Sequence, residues 1–127
     1  VLQHPELAVD PRMRMRDVLR EAGEVPERIV SGLGIREKWK TRFPHELSGG
    51  ELQRFCIARA LAANPRYLIA DEISTMLDAL TQAQIWRFLL EECDLRQMGL
   101  VFVSHSPALT ARVATRTVDL ASCALNG

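Results

Sequence analysis

The stretch PHELSGGELQRFCIARALAANPRYLIADE, residues 44–72, carries two groups of residues whose types and spacing can do chemistry. Ser48, Gly49 and Gly50 stand just before an apolar helical repeat, where glycine is a poor interior residue but leaves backbone N–H groups open to close approach. With the helix dipole and the Ser48 hydroxyl as a further donor, this is a site for an anion. An ordinary Ser N-cap followed by flexible glycines is the plainer account of the pentapeptide alone. Asp71 and Glu72 end an apolar run, Tyr67 to Ala70, that reads as a buried strand. A carboxylate pair at the C-terminal end of a parallel strand faces the crevice where α/β proteins hold ligands. Asp71 could hold Mg²⁺ through water there, while Glu72 orients and deprotonates an attacking water. Two solvated carboxylates are the alternative. His105, at the end of LVFVSH, could hydrogen-bond charge developing on a phosphate, although a lone His at a strand end is more often structural.

The elements that must position these groups follow from periodicity and punctuation. Residues 1–46 read as helical and polar, broken by Pro5, Pro11, Pro26 and Pro44. The pattern predicts a helix over Met13–Ala22 stopped by Gly23, and a second after Pro26 carrying Ile29, Val30 and Leu33. A short third piece follows over Arg36–Phe43. From Gly49 the pattern becomes α/β. Leu52, Phe55, Cys56 and Ala60 recur at helical spacing, and Asn64-Pro65 ends that helix. Strand Tyr67–Ala70 is followed by a helix over Leu80–Met98, with Ile85, Phe88 and Leu89 on one face and Gly99 as its cap. Residues 100–105 read as a second buried strand and TVDLAS, 117–122, as a weaker third. Strand, helix, strand at this spacing implies a parallel sheet.

Composition excludes more than it assigns. The chain has 127 residues, a formal net charge of zero and 25% charged residues, so no global field argues for nucleic acid or anionic lipid. The most basic stretch, residues 11–20, reads as a solvated helix face. Cys56, Cys93 and Cys123 are scattered and odd in number, which reads as reduced, intracellular, mostly buried thiols. No signal peptide and no apolar run near 18 residues is present, so the expectation is a soluble chain without direct membrane insertion. It begins without Met, and we expect it to be part of a longer polypeptide.

Taken together, in this order and spacing, the motifs resemble the ATP-binding cassette family, from Gln3 to nearly the end of the chain. LSGGE (47–51) is similar to its signature motif and YLIADE (67–72) to its Walker B strand. STMLDAL (74–80) resembles the D-loop, VSHS (103–106) the switch-histidine loop, and Gln3 the Q-loop glutamine. The stretches QHP and DPRM, ELSGGELQR, IARAL and DEISTMLDALTQAQI look most like the ATPase subunits of dipeptide, oligopeptide and nickel importers. Ile73 and Glu51 replace the proline and glutamine usual at those positions, which leaves the hydrolysis rate open.

The resemblance implies a fold and a set of roles. The fold is α/β, the C-terminal part of a P-loop NTPase (RecA-like) core with parallel strands plus the family's helical subdomain, divided into residues 1–46 and 47–127. The ligands are ATP and Mg²⁺. Glu72 and His105 are catalytic. Gln3, Ser48, Gly49, Gly50, Glu51 and Asp78 contact nucleotide, and Asp71 and Gln3 the metal. The signature end faces ATP held by a partner subunit, whereas Asp71 and Glu72 serve their own subunit's ATP, which requires a head-to-tail dimer. Transmembrane permease subunits are the other partners, at the cytoplasmic face of the membrane, and no nucleic acid is involved.

No G-x-x-x-x-G-K-[S/T] loop occurs in the chain, and in the family that phosphate cradle precedes the Q-loop. We therefore expect no significant ATPase activity from these residues alone. Two alternatives remain open at this point. A DNA-repair ATPase of the same superfamily is disfavoured, because only 43 residues, 4–46, separate Gln3 from Leu47. A non-catalytic interaction module fits the absent loop but not the retained Asp71, Glu72 and His105.

Overall fold

The computed structural model of the chain describes residues 1–123. A 3₁₀ turn at Pro5–Leu7 leads into three short helices, α1 (Met15–Arg20), α2 (Glu27–Gly32) and α3 (Glu37–Lys40). A second 3₁₀ turn, Pro44–Glu46, precedes α4 (Gly49–Ala62), β1 (Tyr67–Asp71), α5 (Ala79–Arg96), β2 (Gly99–Val103), α6 (Pro107–Val113) and α7 (Leu120–Cys123). The α1 helix is shorter than its sequence pattern. A turn in which the Met13 N–H reaches the Asp10 carbonyl holds the chain out of helix until Met15. Gly23, at φ +90, then ends the segment as expected. Its buried residues Met15, Val18 and Leu19 form one face.

Helix α4 is the centre of the molecule. Leu52, Gln53, Phe55, Cys56, Ile57, Ala58 and Leu61 are all buried, so the helix is covered on nearly every side. Helices α1 and α2 and the first 3₁₀ turn pack on it. One hydrophobic cluster joins Met15, Ile29 and Trp39 from the first 46 residues to Phe55, Leu68 and Leu89 from the rest. A second link runs from α2 to α5. The Glu92 carboxylate is buried and paired with Arg28 at 2.6 Å and Arg96 at 2.8 Å. Two guanidiniums satisfy a charge that would otherwise be costly to bury. Beside them the Phe88 ring lies where a Gly32 side chain would stand, 2.2 Å from an added Cβ.

Strands β1 and β2 pair in parallel, Tyr67 opposite Gly99 through Asp71 opposite Val103. On the far edge of β1, Val1 continues the ladder: its N–H bonds the Ile69 carbonyl and its carbonyl accepts from the Asp71 N–H. Both strands read as buried in the sequence, and the structure buries one face of the pair. Leu68 and Ala70 face the core, and Phe102 packs on Trp86 with ring centroids 5.2 Å apart. Tyr67, Ile69, Val101 and Val103 are exposed, because no described element lies across that face.

Two further expectations are corrected. Gln97, at φ +52, provides the left-handed cap of α5 rather than Gly99, with the Met98 N–H reaching back to the Cys93 carbonyl. Gly99 is the first residue of β2, and an added Cβ would lie 2.5 Å from the Tyr67 ring. Residues 117–122 form no strand. The Asp119 carboxylate accepts from the Ala121 N–H and its carbonyl from the Ser122 hydroxyl, which turns the chain into α7 instead. Of the thiols, Cys56 is buried and Cys93 half-buried, and the Cys123 side chain lies outside the described residues.

Candidate functional site

Six of the sequence-predicted residues line two neighbouring cavities, each of about 350 Å³, that share Leu77 as a wall, while Gln3, Gly49 and Asp71 line neither. The first contains Ser48, Gly50, Glu51 and Asp78. Helix α4 begins here in a capping box: the Ser48 hydroxyl oxygen accepts from the Glu51 N–H at 3.1 Å, and the Glu51 carboxylate accepts from the Ser48 N–H at 2.9 Å. The plain N-cap reading is thus realised, and it leaves the Ser48 hydroxyl proton free to donate outward. Close approach to the glycines is also real, but it is made by the 74–78 loop. An added Cβ at Gly49 would lie 2.5 Å from Met76 Sδ, and one at Gly50 would lie 2.9 Å from Leu77 Cδ2. Asp78 caps α5, accepting from the Thr81 N–H at 2.9 Å and the Thr81 hydroxyl at 2.8 Å. These hydrogen bonds favour the charged form and hold its carboxyl below the ordinary value.

The second cavity holds Glu72 and His105 together with Ser74, Gln82, Trp86, Ser104 and Ser106. Asp71 is the last residue of β1, and Glu72 leaves the strand at φ +50, a left-handed conformation that costs a non-glycine residue about 1–2 kcal/mol. Its N–H still bonds the Val103 carbonyl at 3.1 Å, and its carbonyl accepts from the Thr75 hydroxyl at 3.2 Å. The turn swings the Glu72 side chain inward, where it is 11% exposed. His105 Nε2 stands 3.0 Å from Glu72 Oε1 while its own side chain is 93% exposed. That contact is out of line for a hydrogen bond, so Glu72 Oε1 is a buried carboxylate oxygen with no donor. A water or a polarised ligand group is what such an oxygen lacks.

Gln3 lines neither cavity. It sits half-buried in a bend just after Val1, whose carbonyl holds the Asp71 N–H, so its backbone is two residues from the strand end. Among the described residues no group of three or more His, Cys, Asp or Glu side chains could cage a metal ion. A divalent cation at Asp71 would need oxygens from a ligand, which is how Mg²⁺ is commonly held beside phosphates. Periodicity gave no signal for Arg36, Trp39 and Arg54, which line the first cavity. Both guanidinium carbons lie over the Trp39 ring, at 5.4 and 5.7 Å from its centroid. Gln53 was also missed, although a polar residue on the buried side of α4 is a signal in itself.

Comparison with known proteins gives the family and the fold. The family model described as ABC transporter matches residues 1–75. The glutathione import ATP-binding protein GsiA of Pectobacterium atrosepticum is 37% identical over 91% of this chain and 20% of its own length. A putative peptide import ATP-binding protein of Brucella abortus is 35% identical over 94% of this chain and 40% of its own. The chain therefore spans a fifth to two fifths of these relatives. Among solved structures, the dimeric ABC transporter cassette MJ0796 superposes with a TM-score of 0.72 at 26% identity, covering 89% of this chain and 54% of that one. The same cassette in a dimeric post-hydrolysis state bound to ADP and Pi gives 0.73 at 24% identity, a likeness of fold.

Proposed function

The chain belongs to the ABC transporter family, and on that premise we propose that it forms part of the ATP-hydrolysing subunit of an importer for peptides, glutathione-like tripeptides included. The observation that carries the reading is the buried, unpartnered Glu72 Oε1 at the end of β1 beside His105. In the whole protein Glu72 orients the attacking water and takes its proton, and the exposed imidazole of His105 swings to hydrogen-bond charge on the transferred phosphoryl group. Asp71 and Gln3 would hold Mg²⁺, which when bound neutralises charge on the phosphate oxygens. Ser48, Gly49 and Gly50 offer N–H groups and a hydroxyl to the phosphates of a second subunit's ATP, with Glu51 and Asp78 bracing the two helix starts around them.

Several features support this arrangement. Two cavities of different chemistry lie on one chain, as a head-to-tail pair of cassettes requires, and cassette dimers are among the structures of like fold. The names of the relatives speak for peptide-type cargo and not for nickel. No described helix is long and apolar enough to cross a membrane. In this reading permease subunits carry the cargo, and this subunit docks on them at the cytoplasmic face. Residues 1–46 then act as the lobe that meets those subunits and 47–127 as the chemical layer. The test is to reconstitute the full-length subunit with its permease in vesicles and measure ATP hydrolysis and peptide uptake together. ATP-dependent uptake of a di- or tripeptide is expected. Hydrolysis without uptake of any peptide would overturn the cargo, and no hydrolysis would overturn the reading as a whole.

A further inference from the structure

One face of α4 carries three side chains whose donors all reach the same distant strip of backbone. Gln53 Nε2 donates to the Leu2 carbonyl at 3.0 Å, the Cys56 thiol to the Pro5 carbonyl at 3.8 Å, and an Arg59 guanidinium N–H to the Ala8 carbonyl. The donors are spaced by three in the sequence, and so are the acceptors. On an α-helix, positions three apart share a face. The acceptor strip contains the 3₁₀ turn Pro5–Leu7, whose repeat is three residues, so carbonyls three apart point the same way. The two periods match over three rungs.

Each rung is built to persist. Gln53 is 1% exposed, so its amide has no water to exchange for the Leu2 carbonyl. Burial pushes the Cys56 thiol up to about 11, which keeps its proton in place to donate. Arg59 is also tied to Glu21 at 2.6 Å, which fixes its direction. Gln3 lies between the first and second rungs. On its other side, Val1 is bonded to Ile69 and Asp71 at the end of β1. Its backbone is thus held from the signature helix on one side and from the carboxylate strand on the other.

We infer that Gln53, with Cys56 as a weaker second, is a positioning residue for hydrolysis: it fixes the main chain at Leu2 so that Gln3 meets the metal or the attacking water. This rests on the hydrolytic reading of the site. The signature helix and the glutamine of the opposite half-site then move as one body, because the rungs are side chain to main chain and span about 50 residues of sequence.

The test is a cycle in the full-length protein with MgATP, using Gln53→Met, which keeps shape but removes the donor, Gln3→Ala, and the pair. Gln53→Met is expected to lower kcat about tenfold with little change in KM, since small misplacements at a reacting centre cost rate. In the Gln3→Ala background the same change is expected to do nothing further to kcat, while its effect on melting temperature stays the same in both backgrounds. Cys56→Ala, a milder change, is expected to give a smaller loss that Gln3→Ala also masks. An equal kcat loss with and without Gln3, or no loss from Gln53→Met, overturns the positioning role. Glu72→Gln serves as the independent arm. A parental rate in that variant overturns the base assignment, whereas an unmasked Gln53 effect beside an inactive Glu72→Gln overturns the positioning alone.

Discussion

The two ends that face the cavities are built in opposite ways. At the signature end, Ser48 and Glu51 satisfy each other's backbone N–H groups, and α4 behind them is buried on almost every side. Local rules alone make that end rigid. At the strand end, Glu72 adopts a left-handed backbone, one of its carboxylate oxygens is buried without a donor, and its partner His105 is almost wholly exposed. The ladder to Val103 and the turn at Thr75 impose that state. A left-handed backbone and an orphaned carboxylate oxygen meet in one residue, Glu72, whereas the Ser48 cap is satisfied locally and the unpartnered atoms of α4, Gln53 Oε1 and Arg54 Nε, lie further along that helix.

The contrast can be broken at its strongest point first. If α4 is the rigid backing of the signature end, Phe55→Ala, which empties a fully buried position, should cost about 3–5 kcal/mol in urea or thermal unfolding. A loss under about 1 kcal/mol would mean the helix is loosely held. Next, Ser48→Ala should cost about 1 kcal/mol through the lost cap while Ser48→Gly costs a few tenths. No cost from Ser48→Ala would show that the capping box contributes nothing. At the other end the sign should reverse. Glu72→Asn suits the left-handed backbone, so stability should rise by up to about 1 kcal/mol even as chemistry is lost. A clear destabilisation would show that Glu72 is not strained.

The smallest effect concerns pH. The Asp78 carboxyl is held below its ordinary 3.8 by hydrogen bonds from Thr81, so folding favours its charged form. Its contribution is fully present above the unfolded value and is lost as pH falls through the folded one. Stability profiles of the parent and Asp78→Asn should therefore differ near neutrality and converge toward acid pH. Curves that stay parallel down to pH 2 would remove Asp78 from the account.

What the sequence made legible sorts along the same line. Ser48-Gly49-Gly50, Asp71-Glu72 and the parallel order of the strands were readable, because capping, strand ends and crossover length are local properties. The cap at Gln97 was misread because glycine at 99 is the commoner signal, and there it answers the Tyr67 ring across the sheet. The strand expected at 117–122 failed on a single Asp119 side chain that turns the backbone. The Gln53–Leu2 bond depends on a partner in another part of the fold, which no window of sequence contains. The segment 11–20 was read as a solvated helix face. In the structure Arg12 folds back onto Asp10, and Met13 is half-buried against the core.

Glu72 is the residue on which the chemistry of the strand end depends most directly. In the full-length subunit, Glu72→Gln keeps the shape of the side chain and removes the base. MgATP binding should stay within a few-fold of the parent while single-turnover hydrolysis falls about 10²–10⁴-fold. Hydrolysis at the parental rate with binding intact would contradict the assignment of the strand end as the chemical end.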